Sequence, residues 1–204
     1  MAYSIEEEQE INQLKDWWKE NGKAIIVAFV LGVGGMFGWR YWQVYQTNQI
    51  IEASAGYEAL VYGAEQNSAA QKVKLTEFVQ ANSKTSYAVF ALLNEAKNAV
   101  ARKDFIAAST ALEQALAQSQ DEILTSLAAV RLSAVQFQSG QIDNALSTLN
   151  QVKSASFNAR KALLSGDIQL AKGDQAAAKS SFEQALQNGS PLERQAAQMK
   201  LNNL

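Results

Sequence analysis

Two absences limit the chemistry open to this 204-residue chain: it has no histidine and no cysteine. His-based general-base catalysis and imidazole metal sites are excluded, and so are disulfides, thiolate metal sites and a cysteine nucleophile. A Ser–Lys pair is the remaining nucleophilic option. Lys179 and Ser180 are adjacent, but neighbours one apart on a helix point in different directions. Glu52, Glu58, Asp121 and Glu122 are spaced as on helix surfaces. Asp121 precedes an apolar helix, so it reads as an amino-terminal cap rather than a catalytic acid. Gly32, Gly34 and Gly35 lie inside an apolar run, so they make no phosphate loop. From Glu52 onward the chain carries fourteen acidic and fourteen basic residues. No basic stripe emerges, which argues against a nucleic-acid partner. The residue types therefore point to a non-enzyme without metal or cofactor, whose work is contact.

The elements that must position those contacts begin with residues 24–39, AIIVAFVLGVGGMFGW, which contain no charge. All four tryptophans bracket this run: Trp17 and Trp18 before it, Trp39 and Trp42 at its close. Lys23 and Arg40 flank it, and Tyr41 and Tyr45 extend the second aromatic belt. From Trp18 to Trp39 a helix rises roughly 31 Å, near the hydrocarbon thickness of a bilayer. Aromatic rings with an N–H or O–H favour the headgroup level, and Arg40 can snorkel to phosphate. A buried core helix would need no such belts. A cleaved signal peptide is disfavoured by the acidic lead-in, Glu6, Glu7, Glu8 and Glu10. The pattern predicts an uncleaved transmembrane helix over 23–45, after a short cytoplasmic segment, 1–22. Lys15, Lys19 and Lys23 against Arg40 place the amino terminus in the cytoplasm. The lack of cysteine suits a bacterial periplasm, although chance alone also produces it.

Small residues line this span. Gly34 and Gly38 form a G-x-x-x-G pair, and Ala24, Ala28 and Gly32 recur every four positions. Such faces let another transmembrane helix approach closely. Glycine is also simply common in spanning helices, and the two readings stand side by side.

Residues 46–204 read as one all-α domain, rich in Ala, Gln, Leu, Glu and Lys, with Pro191 as the only proline. Gly140, Gly173 and Gly189 punctuate it, with softer breaks at Asn67-Ser68, Asn82-Ser83 and Lys103-Asp104. Helices of about 12–19 residues are expected, in pairs. Segments 103–116, 140–152 and 173–186 repeat one pattern. A small residue recurs at Ala108, Ala145 and Ala178, a large one follows at Leu112, Leu149 and Phe182, and Ala115, Val152 and Ala185 come three further on. Phe78 and Ala81 give a degraded earlier copy. This is similar to the tetratricopeptide repeat, a helical hairpin of 34 residues, with Gly166 at the small position of the third copy's first helix. The repeat's usual Trp and Tyr are missing, and an irregular helical bundle is the alternative. Ser190-Pro191-Leu192-Glu193 starts a final capping helix. In such a solenoid the first helices line a groove. Phe90, Leu93, Lys97, Leu127, Val130, Arg160, Leu163 and Asp167 fall at those positions, where each is either groove surface or interhelical core.

Three stretches carry a resemblance: Glu20-Asn21-Gly22-Lys23 entering the span, Gly38-Trp39-Arg40-Tyr41-Trp42 leaving it, and the ending Met199-Lys200-Leu201-Asn202-Asn203-Leu204. With them the chain resembles the YfgM family of ancillary SecYEG translocon subunits over its whole length. The resemblance implies a single-pass bacterial inner-membrane protein with a periplasmic tetratricopeptide-like domain. It further implies association with the translocon and with a PpiD-like membrane-anchored chaperone, help in passing exported client proteins to periplasmic chaperones, and no enzymatic role. The alternative is a structural scaffold for an envelope-assembly complex outside export.

Overall fold

A computed structural model describes residues 5–63 and 69–204. It divides into two compact units, Met1–Ile51 and Glu52–Leu204. Helix α1, Ile5–Tyr62, begins in the first and ends in the second. It is longer than the span expected at 23–45: no proline precedes Gly63, and the helix runs through the Asn21-Gly22 and Gly34-Gly35 pairs without a break. The glycines at 32, 34, 35 and 38 do not break it.

In the first unit, Trp18 lies over Gly22, where a Cβ would come within 3.1 Å of the indole. The Asn21 side-chain amide donates to the Trp17 carbonyl at 3.1 Å. Trp39 and Trp42 meet one turn apart with their rings tilted by 39° and centroids at 5.2 Å.

The second unit opens with the final turns of α1 and continues with α2, Ala69–Ala81. Three helical hairpins follow. They are α3 and α4 (Ser86–Ala101, Phe105–Gln118), α5 and α6 (Glu122–Gln138, Ile142–Leu149), and α7 and α8 (Asn158–Ala171, Gln175–Asn188). Helix α9, Pro191–Asn202, closes the array. Each helix from α2 onward packs on its successor, and α5, α7 and α9 line up as first helices of adjacent units. Among the described residues no strand occurs. The fold is an all-α tetratricopeptide-like solenoid.

The break expected at Asn67-Ser68 lies outside the described residues. The shortest helix, α6, has eight residues, fewer than the spacing suggested. The chain leaves it early because Val152 and Ser154 turn inward, 4% and 6% exposed. The buried Ser126 hydroxyl accepts from the Lys153 and Ser154 amides at 3.2 and 3.0 Å. A 3₁₀ turn, Ala155–Phe157, then leads into α7.

The turn inside each hairpin is built the same way. Lys103, Gly140 and Gly173 adopt φ of 61°, 77° and 84°, and the next residue's amide reaches back to Ala99, Gln136 and Gln169. These are Schellman closures. Asp104 and Asp174 then cap the second helices, accepting from Ala107 and Ala177 at 3.0 and 2.9 Å. Lys103 holds the left-handed conformation with a Cβ, at a cost of roughly 1 kcal/mol. Lys103→Gly removes that cost but frees the unfolded chain, so the net gain expected is about 0.5 kcal/mol. The check is a rise of one to a few degrees in the thermal midpoint of the detergent-solubilised chain, roughly as that energy implies.

Candidate functional site

Three surfaces hold the residues singled out by type and spacing. The first is the span. Leu31 and Phe29 are 70% exposed, and one 18-residue apolar window along α1 is 6% buried. It is long and apolar enough to cross a membrane, and its side chains there are exposed, whereas a core helix of a soluble protein would be covered. Trp17, Trp39, Arg40, Tyr41 and Trp42 are exposed at its ends. A Cβ placed on Gly32, Gly34 or Gly38 meets nothing within 4 Å, and Ala28 is likewise exposed. Both small-residue faces, Ala28 with Gly32 and Gly34 with Gly38, are open.

The second is the repeat interior. Ala108, Ala115, Ala145, Ala178, Phe182 and Ala185 have no exposed surface, and Leu112 and Leu149 have 1% and 2%. Phe182 closes on Gly166, where a Cβ would sit 2.3 Å from the ring. Sixteen residues before Leu112 and Leu149 stand Ala96 and Ser133, also small and buried. The hydroxyl of Ser133 donates to the Ala145 carbonyl at 2.8 Å. A polar rung recurs beside these pairs. Thr148 donates to the Gln136 amide oxygen and Ser181 to that of Gln169, both at 2.7 Å. Sequence reasoning missed this rung, whose signal is a hydroxyl twelve residues after a Gln at matching positions of two repeats. Phe78 meets Gly56, where a Cβ would lie 2.8 Å from the ring. The end of α1 and α2 therefore pair as a further, degenerate hairpin.

The third is the set of positions expected to line a groove. Leu93 and Val130, 5% and 6% exposed, belong to the core. They offer no free face: Leu93 lies in one buried core cluster and Val130 in another. Leu127 and Leu163 are half-buried against core clusters. Phe90, Lys97 and Arg160 remain exposed. Phe90 joins Tyr57 and Tyr87 in a cluster of rings, with centroids 5.9 to 6.2 Å apart. Burial raises the Tyr57 hydroxyl above its ordinary range, and Tyr62 adds to the effect.

At the other end α9 answers the groove's charges. Arg160 pairs with Glu193 at 3.8 Å, and Asp167 with Lys200. Glu193 also completes the cap of α9, its carboxylate accepting from the Ser190 amide at 2.9 Å and hydroxyl at 2.7 Å. The Ser190 backbone bond first, then its hydroxyl, hold this carboxyl below the usual range against some desolvation, and Arg160 adds to the lowering. A depressed folded value means the stabilisation is complete above the unfolded value near 4.5 and is lost as pH falls through the folded one. Glu193→Gln is expected to lower the thermal midpoint at pH 7 and to flatten its decline below about pH 4.5. Melting curves from pH 7 to pH 3 check both.

Fold and surfaces together define a tetratricopeptide repeat-like protein preceded by one helix able to cross a membrane. A sequence profile for the tetratricopeptide repeat-like domain matches residues 15–204. The chain is 72% identical to an ancillary SecYEG translocon subunit of Haemophilus influenzae and 53% identical to that of Aggregatibacter actinomycetemcomitans, over the full length of both partners in each case. It is 34% identical to the Escherichia coli protein of the same name, covering 97% of this chain and 96% of that one. No solved structure matches it. The chain belongs to the family of ancillary SecYEG translocon subunits.

Proposed function

We propose that this chain is a non-catalytic adaptor tethered in the bacterial inner membrane beside SecYEG, helping to hand exported proteins to periplasmic chaperones. The observation that carries this reading is the pairing, on one chain, of an exposed helix long and apolar enough to cross a membrane with a tetratricopeptide-like domain. The names of its relatives support a place with the translocon. In the proposed arrangement residues 1–22 stay in the cytoplasm, 23–45 span the membrane and the remainder is periplasmic. The Lys15, Lys19 and Lys23 bias supports that orientation. The open faces, one at Ala28 and Gly32 and another at Gly34 and Gly38, dock on transmembrane helices of the translocon or of a PpiD-like chaperone. Tethering raises the groove's effective concentration beside emerging chains, so weak contacts suffice.

Site-specific photocrosslinking in intact cells tests both surfaces. A crosslinker at Gly34 is expected to capture translocon or chaperone helices, and one at Phe90 to capture newly exported chains. Capture of envelope-assembly proteins alone, with no translocon component and no exported chain, would replace the adaptor by an envelope scaffold.

A further inference from the structure

The groove is not uniform along its length, and its charges are placed unequally. Arg160 and Asp167 have partners on α9, each 33 residues further along the chain, so the carboxy-terminal end is neutralised from within. Lys97 holds the position in α3 that Asp167 holds in α7. It is exposed and makes no ion pair among the described residues. Its counterpart in α5 is Ala134, which is exposed and carries no charge. Seven residues before Lys97, on the same face of α3, stands Phe90 with Tyr87 and Tyr57 around it. Tyr57 comes from the final turns of α1, so this end of the groove is composite.

Two helical turns separate Phe90 from Lys97 by about 10 Å along the axis. In an extended polyproline-like chain, residues i and i+3 share a face and lie about 9 Å apart. We propose that the Phe90 end of the groove selects an extended segment of another protein carrying an apolar or aromatic side chain and, three residues later, a carboxylate. The ring sits on the aromatic cluster and the carboxylate meets Lys97, which makes no ion pair among the described residues. This inference rests on the adaptor reading and names the segment the groove takes.

The test uses the full chain in detergent micelles and fluorescence anisotropy of a labelled, proline-rich nine-residue peptide with Trp at its fourth position and Asp at its seventh. Saturable binding is expected, at least tenfold weaker with Lys at the seventh position. Lys97→Glu should reverse that preference, and being a change of an exposed side chain it leaves the fold intact. Phe90→Ala and Tyr57→Ala should each weaken binding several-fold, whereas Arg160→Ala should leave it within twofold. The inference is overturned if the native chain does not bind, if it takes both peptides equally, or if Lys97→Glu leaves the preference unchanged. Photocrosslinking from Phe90 to exported chains in cells would survive such a failure, so the loss of this motif and the loss of the adaptor reading are distinguishable.

Discussion

Phe182→Ala is expected to cost about 3–5 kcal/mol and to open the third hairpin. Phe182 is the largest fully buried side chain among the described residues and has no exposed surface. It fills the space between α7 and α8 that Gly166 leaves, since any Cβ at residue 166 would collide with the ring. The reciprocal change, Gly166→Ala, overpacks the same place and should cost about 1–3 kcal/mol. The other hairpins show the compensated form: Leu112 and Leu149 stand sixteen residues after Ala96 and Ser133. Gly166→Ala combined with Phe182→Leu should accordingly cost well under the sum of its two single changes, with a coupling of about 1 kcal/mol or more. Denaturant unfolding of the four chains gives the cycle. Strict additivity would mean that the two side chains do not share one packing decision.

The second large effect concerns the span. Leu31→Arg exchanges a favourable residue for one that costs about 2.5–3.5 kcal/mol at the centre of a membrane helix. The total penalty is about 3–4 kcal/mol, or a few hundred-fold in the inserted fraction. The apolar run has little reserve, for residues 24–39 are only sixteen in number, at the short end of spanning length. Leu31 is 70% exposed and touches no core, so the change acts on insertion and leaves the repeat domain folded. Alkaline extraction of membranes is expected to release most of the variant while the native chain stays in the pellet. Retention of the variant at the native level would show that the segment does not cross the bilayer as a lipid-facing helix.

Much of the repeat fold was legible because its rule is one of size. Ala108, Leu112 and Ala115 recur as Ala145, Leu149, Val152 and as Ala178, Phe182, Ala185, and the small-large-small order follows from two helices approaching closely. What escaped were features in which a polar or shifted residue does the packing. Gln136 and Thr148 look like surface residues until one side chain satisfies the other, and then both are buried. Gly56 and Phe78 stand twenty-two residues apart instead of sixteen, so the register that identifies the other hairpins passes over them. At the groove, periodicity placed Leu93 and Val130 on the right helices but could not separate the inward side from the open one. The helix normal differs by a fraction of a turn between those two sides, and only the neighbouring hairpin decides which is covered. The ion pairs of α9 were hidden for a related reason: each joins residues 33 apart, beyond any local spacing rule.

The pairing of Gly56 with Phe78, beside the buried Ala53, bears on how such proteins can change over generations. A recombination that brings in a foreign anchor must join before Glu52, because the turns that follow belong to the first hairpin of the array. Joined later, the new helix would present an arbitrary side chain where Phe78 needs a glycine, and the array would lose its starting wall. Substitutions are expected to be tolerated in residues 43–51, which are exposed, and to be costly at residues 53 and 56. The inheritable boundary between anchor and domain falls inside one helix.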